Sequence, residues 1–281
     1  MLYRNFVSEA EINAEYDPGF ISDRDLAMER FNQLSSTARS AMPNWYSHQF
    51  GATEAEYVDI FPSGVANAPV HIFIHGGYWR ALSARQFAFV AQKLVEKGVT
   101  VVLTNYGLCP EVSIGDIVEQ TREAVAWVSR NAEQLNVDSS RLTLSGHSAG
   151  GHLAAMMLTV DWEEYGLPKD LIKGAIPLSG LFDLAPFPHS WLQPSLKLTE
   201  QDIAQQSPLF LPVKSSARVL LRYGGKEQSE FARQSHTYAD YLAAQGLSVD
   251  CKAVEGADHF TVLDPFFLNE AEFVTDILSF S

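Results

Sequence analysis

The chain has 281 residues, 46% of them hydrophobic, and a formal net charge of −14 at pH 7 with histidine neutral. That length suffices to bury a large core, and the ordinary apolar fraction argues against wholesale disorder. The acidic balance argues against nucleic acid and anionic membranes as partners. The two cysteines, Cys109 and Cys251, lie far apart and suggest neither a disulfide framework nor a zinc finger. The start, MLYRNFVSEAEINAEYD, lacks an apolar signal core, and no run approaches the ~18 apolar residues of a membrane span. A cytoplasmic protein is the expectation.

Residues 1–45 read as an N-terminal arm, polar and largely helical, with a Tyr16-Asp17-Pro18-Gly19 turn. Phe20, Ile21, Leu26, Met28 and Phe31 offer apolar anchors for packing it on the main body; the alternative is a partly ordered tail. The first strand is expected at about 56–61, near a sheet edge, and Pro69 to Ile74 (PVHIFI) reads as a buried strand ending in His75-Gly76-Gly77-Tyr78-Trp79. A helix is predicted over 84–97, stopped by Gly98, then a continuous β-branched strand over 99–104 of the kind covered on both faces. A long helix over 114–135 leads to Leu142–Leu144 and to Gly146-His147-Ser148-Ala149-Gly150, where a helical pattern starts at once. A strand at 172–178 follows. The stretch 181–213, rich in Pro, Leu and Phe, breaks the pattern and reads as a cap or pocket wall with one short helix near 200–205. Strand 218–223, helix 231–245, strand 248–253, a loop over 255–261 and a final helix complete the chain. Strands alternating with helices predict one α/β domain over 1–281, with a mostly parallel sheet covered on both faces.

Strand, sharp turn and helix with a serine at the apex is the G-x-S-x-G arrangement of a nucleophile elbow, which nominates Ser148. A serine hydroxyl needs a base, and the base an orienting acid, each on a loop after a later strand. His259, in Gly256-Ala257-Asp258-His259-Phe260 after the last strand, is the base candidate, while His75 and His147 read as loop-bracing. Glu227, in the turn after strand 218–223, is preferred as the acid over Glu230, which falls in the first turn of the next helix. Asp258 reads as bracing the histidine loop. The oxyanion hole is assigned to the amides of Gly76, Gly77 and Ala149. Tyr78, Trp79, Phe182 and Trp191 are candidate pocket residues, with a plain core role the alternative for Trp79. Eight histidines show no metal-ligand spacing, so no metal or other cofactor is expected.

His75 to Trp79, Gly146 to His152 (GHSAGGH) and Gln206-Ser207-Pro208-Leu209 resemble the arylformamidase (kynurenine formamidase) branch of the α/β-hydrolases, near the hormone-sensitive-lipase-like esterases. Ser229 to Ser235 is similar to a stretch just after that branch's acid, and Asn105 to Glu111 (NYGLCPE) resembles its N-Y-R-L-A-P-E segment. Glu227 stands where aspartate is usual, and Gly107 where arginine is. The resemblance implies an α/β-hydrolase fold and a serine hydrolase cleaving small carboxylic esters or aryl formamides through an acyl-enzyme. A dedicated N-formylkynurenine formamidase is one alternative; a non-catalytic binding protein of the same fold and a metal-assisted hydrolase are others. The expected partner is the small-molecule substrate, and a homodimer stays open.

Overall fold

Eight strands form one sheet in a computed structural model that describes residues 1–266 and 272–280. The strands are β1 Tyr46–Gln49, β2 Tyr57–Phe61, β3 Ala68–Ile74, β4 Thr100–Thr104, β5 Val137–His147, β6 Ile172–Leu178, β7 Arg218–Gly224 and β8 Val249–Val254. Their order is β1-β2-β4-β3-β5-β6-β7-β8. β2 runs antiparallel to β1 and β4, and all other pairs are parallel. From β3 the chain steps to β4 on one side and then crosses to β5 on the other. Where strand order reverses, the loops beyond the two carboxyl ends diverge and leave a crevice. Ile74 pairs with Gly146 across β3 and β5, which sets the His75–Trp79 loop beside Ser148.

Successive side chains on a strand face opposite ways, and both faces here are apolar. Val70, Ile72 and Ile74 of β3 enter one core with Leu142 and Leu144, while Phe73 enters the other with Val101 and Leu103. His71 is buried within the sheet, yet both ring nitrogens are satisfied, by Thr143 Oγ1 at 2.8 Å and Ser145 Oγ at 2.7 Å. The helix Ile114–Arg130 buries Ile114, Ile117, Val118, Thr121, Val125 and Val128 along one stripe and starts at a Ser113/Asp116 capping box.

Several predicted elements differ. The 114–135 helix breaks at Asn131, whose side chain donates to the Trp127 carbonyl and competes with the helical ladder. The 84–97 helix is a 3₁₀ segment, Ala84–Val90, followed by a short α-helix, Gln92–Glu96. Residues 87–91 are all buried, so no solvent face exists for a regular amphipathic helix. β1 is an additional strand, exposed along its length and made by pairing with β2. Beyond the histidine loop comes a 3₁₀ turn, Thr261–Phe266, and the helix Glu272–Leu278; the predicted stretch between them lies outside the described residues.

The N-terminal arm holds the helices Glu9–Tyr16 and Arg24–Ala41. Of the anchors expected from the sequence, Phe31 and Met28 pack against the core and the other three do not. Phe20, Ile21 and Leu26 are exposed, whereas Tyr3, Ile12, Tyr16 and Phe31 are buried. Besides this apolar packing, the arm is fixed by polar groups that hydropathy does not flag. Tyr3 Oη donates to Asp183 Oδ2 at 2.8 Å, Tyr16 Oη to Glu230 Oε2 at 2.6 Å, and Gln228 Nε2 to the Asp17 carbonyl at 2.6 Å. In the 181–213 stretch, helix Glu200–Gln206 agrees with expectation, and Gln193–Leu196 adds a short turn.

Candidate active site

Ser148 sits between β5 and the helix Ala149–Met157 with φ 58° and ψ −118°. For a residue with a side chain this is a strained backbone, and the surroundings must impose it. They do so by close approach. A Cβ on Gly146 would lie 2.1 Å from the Gly150 carbonyl oxygen, and one on Gly150 would lie 2.0 Å from that of Ile74. The Ser148 amide donates to the Leu178 carbonyl at the end of β6, at 2.8 Å. Only glycine at both flanks lets the turn close this tightly.

Three loops beyond the carboxyl ends of β5, β7 and β8 bring the nominated side chains into one hydrogen-bonded row. The Ser148 hydroxyl donates to His259 Nε2 at 3.0 Å. His259 Nδ1–H donates to Glu227 Oε1 at 2.5 Å. A carboxylate can only accept, so its contact puts the ring proton on Nδ1 and leaves Nε2 as the acceptor facing serine. Glu227 Oε2 is itself held by the Gly224 amide at 2.8 Å and the Ser179 hydroxyl at 3.0 Å. Sequence alone gives Ser179 no role beyond that of a small polar residue just past a parallel strand.

Glu230 is spoken for elsewhere. It accepts from Tyr16 Oη and forms a two-pronged pair with Arg233, Nε to Oε1 at 2.8 Å and Nη2 to Oε2 at 2.7 Å. Asp258 braces its own loop, accepting from the Phe260 and Thr261 amides and from the Thr261 and Ser22 hydroxyls. His147 supports His259 from behind: its Nε2–H donates to the His259 carbonyl at 2.7 Å, and the rings lie 4.7 Å apart. Burial, reinforced by the neighbouring imidazole, drives the His147 pKa well down, so it is neutral. His75 donates from Nδ1 to the Gly76 carbonyl at 2.7 Å and stacks on Tyr106 at 4.1 Å. Burial brings its pKa down to about 4.

No group among the described residues accepts from the amides of Gly76, Gly77 or Ala149. Gly77 faces a cavity of about 310 Å³ that opens onto Ser148 and His259. Gly76 packs against the His147 carbonyl and Ser148 Cβ, and Ala149 begins the helix after the elbow. Tyr78 and Trp191 line the cavity, their rings edge-to-face at 5.6 Å. Trp79 and Phe182 do not. Trp79 is fully buried against His152, and Phe182 stacks on Tyr238 at 4.3 Å; both belong to the core. Their hydrophobicity was legible, but its direction depends on which way each loop turns. Met28 and Phe31 of the arm take their places in the wall, and Arg80 stands at the lining without an ion pair among the described residues. Among those residues no cluster of His, Cys, Asp or Glu could hold a metal, and no helix is long and apolar enough to cross a membrane.

Residues 58–177 match the BD-FAE family. A kynurenine formamidase from Danio rerio is 34% identical over 273 residues, spanning 92% of this chain and 91% of its own length. A solved structure from Silicibacter sp. TM1040 superposes with a TM-score of 0.84 at 26% identity, covering 95% of this chain and 99% of its own. The esterase from Pyrobaculum calidifontis superposes with a TM-score of 0.76 at 18% identity, covering 96% of each chain, and shares the fold.

Proposed function

Since the chain belongs to the kynurenine formamidase family and is an esterase- or arylformamidase-like hydrolase of the α/β-hydrolase fold, we propose that Ser148, His259 and Glu227 carry its chemistry through an acyl-enzyme. The observation that supports this reading is the unbroken row Ser148 Oγ–H to His259 Nε2 and Nδ1–H to Glu227, opening onto the cavity. Ser148 Oγ attacks the substrate carbonyl carbon as its proton passes to His259 Nε2. Glu227 stabilises the imidazolium and keeps its orientation. The carbonyl oxygen, now negative, is held by the free amides of Gly77 and Ala149, with Gly76 adjoining. His259 then gives its proton to the departing alcohol or aryl amine. Water repeats the sequence and frees the acid.

A dedicated N-formylkynurenine formamidase is the second reading. It is favoured by the Danio rerio relative and by the unpaired Arg80 guanidinium at an aromatic-lined cavity, a cation available to a substrate carboxylate. The test is kcat/KM for N-formylkynurenine, p-nitrophenyl acetate and a longer acyl ester on one preparation, with Ser148→Ala as control. Preference for the formamide establishes the dedicated enzyme, and preference for the esters a carboxylesterase. Unchanged turnover by Ser148→Ala overturns the serine mechanism.

A further inference from the structure

We propose that His152 is a positioning residue that sets the oxyanion loop against Ser148 by gripping the indole of Trp79. The inference rests on the proposed serine mechanism. The loop it concerns is unusual in its backbone. Gly77, Tyr78 and Trp79 have φ of +113°, +50° and +55° in succession. For tyrosine and tryptophan the left-handed region is unfavourable, so the surroundings must impose the loop's shape: the Cys109 amide holds the Trp79 carbonyl at 2.8 Å, and side-chain contacts do the rest.

Tyr78 Oη donates to the Tyr16 carbonyl of the arm, and Trp79 is fastened by a relay of two hydrogen bonds through one ring. Trp79 Nε1–H donates to His152 Nδ1 at 3.2 Å, with the rings edge-on at 5.1 Å and 87°. His152 Nε2–H donates to the Gln206 carbonyl at 2.6 Å. Indole is a donor only and a carbonyl an acceptor only, so both contacts demand the same neutral tautomer, with the proton on Nε2. Burial brings the ring's pKa down to about 4 and so favours that neutral form. His152 lies one helical turn beyond Ser148, its amide donating to the Ser148 carbonyl at 3.1 Å. One side chain on the elbow helix thus ties the loop carrying the Gly77 amide to the end of helix Glu200–Gln206. It is absent from the cavity lining and acts only through Trp79.

Substitution can separate the two bonds. In His152→Asn the amide oxygen falls near the place of Nδ1 and accepts from the indole, but the side chain is too short for Gln206. In His152→Gln the amide nitrogen reaches Gln206, and the indole N–H loses its acceptor. Trp79→Phe removes that donor directly. The assay is kcat and KM for p-nitrophenyl acetate on the full chain, with Tm for each variant. His152→Gln and Trp79→Phe are expected to lower kcat about tenfold, less than the 10²–10³ of deleting an oxyanion donor, with KM within about twofold. His152→Asn recovers most of kcat although it too loses one bond and some Tm. The double variant His152→Gln/Trp79→Phe is no slower than the worse single, because both remove one contact. Equal kcat losses in His152→Asn and His152→Gln, or a rise in KM at constant kcat, overturn the proposal. Should both His152 variants fail to fold, Trp79→Phe decides alone: unchanged kcat refutes. Ser148→Ala remains inactive throughout if the serine mechanism holds, so the two ideas fail separately.

Discussion

Exchanging each of two nearby glutamates for glutamine separates catalysis from scaffolding. Glu227 Oε2 receives two donors, the Gly224 amide and the Ser179 hydroxyl. In Glu227→Gln the amide oxygen must therefore take that place, which turns the NH₂ toward His259 Nδ1. Two donors cannot face each other, so the imidazole changes tautomer. Nδ1 becomes the acceptor and Nε2 carries the proton, and Nε2 can no longer take one from Ser148. Loss of the correct tautomer in a serine triad costs roughly 10³–10⁴ in kcat, or about 4–5.5 kcal/mol of transition-state stabilisation. The exchange is isosteric, so Tm should barely move. Glu230→Gln should do the reverse. It leaves Arg233 without its carboxylate, and because that side chain keeps 21% of its surface in solvent the cost is about 2–3 kcal/mol rather than the 3–5 of a fully buried pair. That lowers Tm by roughly 3–5 °C and leaves kcat within a few-fold. Steady-state kinetics on p-nitrophenyl acetate and thermal melts of both variants decide the matter. Glu227→Gln retaining a tenth of the activity, or Glu230→Gln proving the slower enzyme, would refute the tautomer argument.

Acid should unfold the protein early. Burial brings His71 down to about 3 and His75 and His152 to about 4, so between pH 6.5 and these values the unfolded chain binds protons that the folded one refuses, and stability falls as pH falls. At pH 5 each contributes about 2 kcal/mol of loss, roughly 6 in all, partly offset by Asp59 and Asp276, whose carboxyls burial pushes up; urea unfolding free energies equal at pH 7.5 and 5 would contradict this. Gly77→Ala meets both a φ of +113° and a backbone oxygen 2.1 Å from the new Cβ, so activity and Tm should both collapse. Gly64→Ala, at φ +74° with nothing within 4 Å, should cost only about 1 kcal/mol and spare kinetics, and equal losses in the two would show that clash is not the cause.

The nucleophile, base, acid and oxyanion-loop glycines could be proposed from the sequence because each follows a strand in the order that parallel topology imposes. Their spacing reports local rules: glycines where backbones collide, β-branched runs where both faces are covered, and turn residues beyond strand ends. What the sequence left undecided depends on partners distant along the chain. β1 has no apolar alternation of its own and is a strand because β2 lies beside it. Two of the arm's anchors are tyrosine hydroxyls whose acceptors, Asp183 and Glu230, lie 180 and 214 residues away. Trp79 and Trp191 read alike as large aromatics, and only the turn of each backbone put the first in the core and the second at the cavity. Ser179 reaches Glu227 because β6 and β7 are neighbours. A one-dimensional pattern fixes which residue types can serve; which side chains meet, and in which protonation state, is decided by the packing of segments that the pattern does not relate.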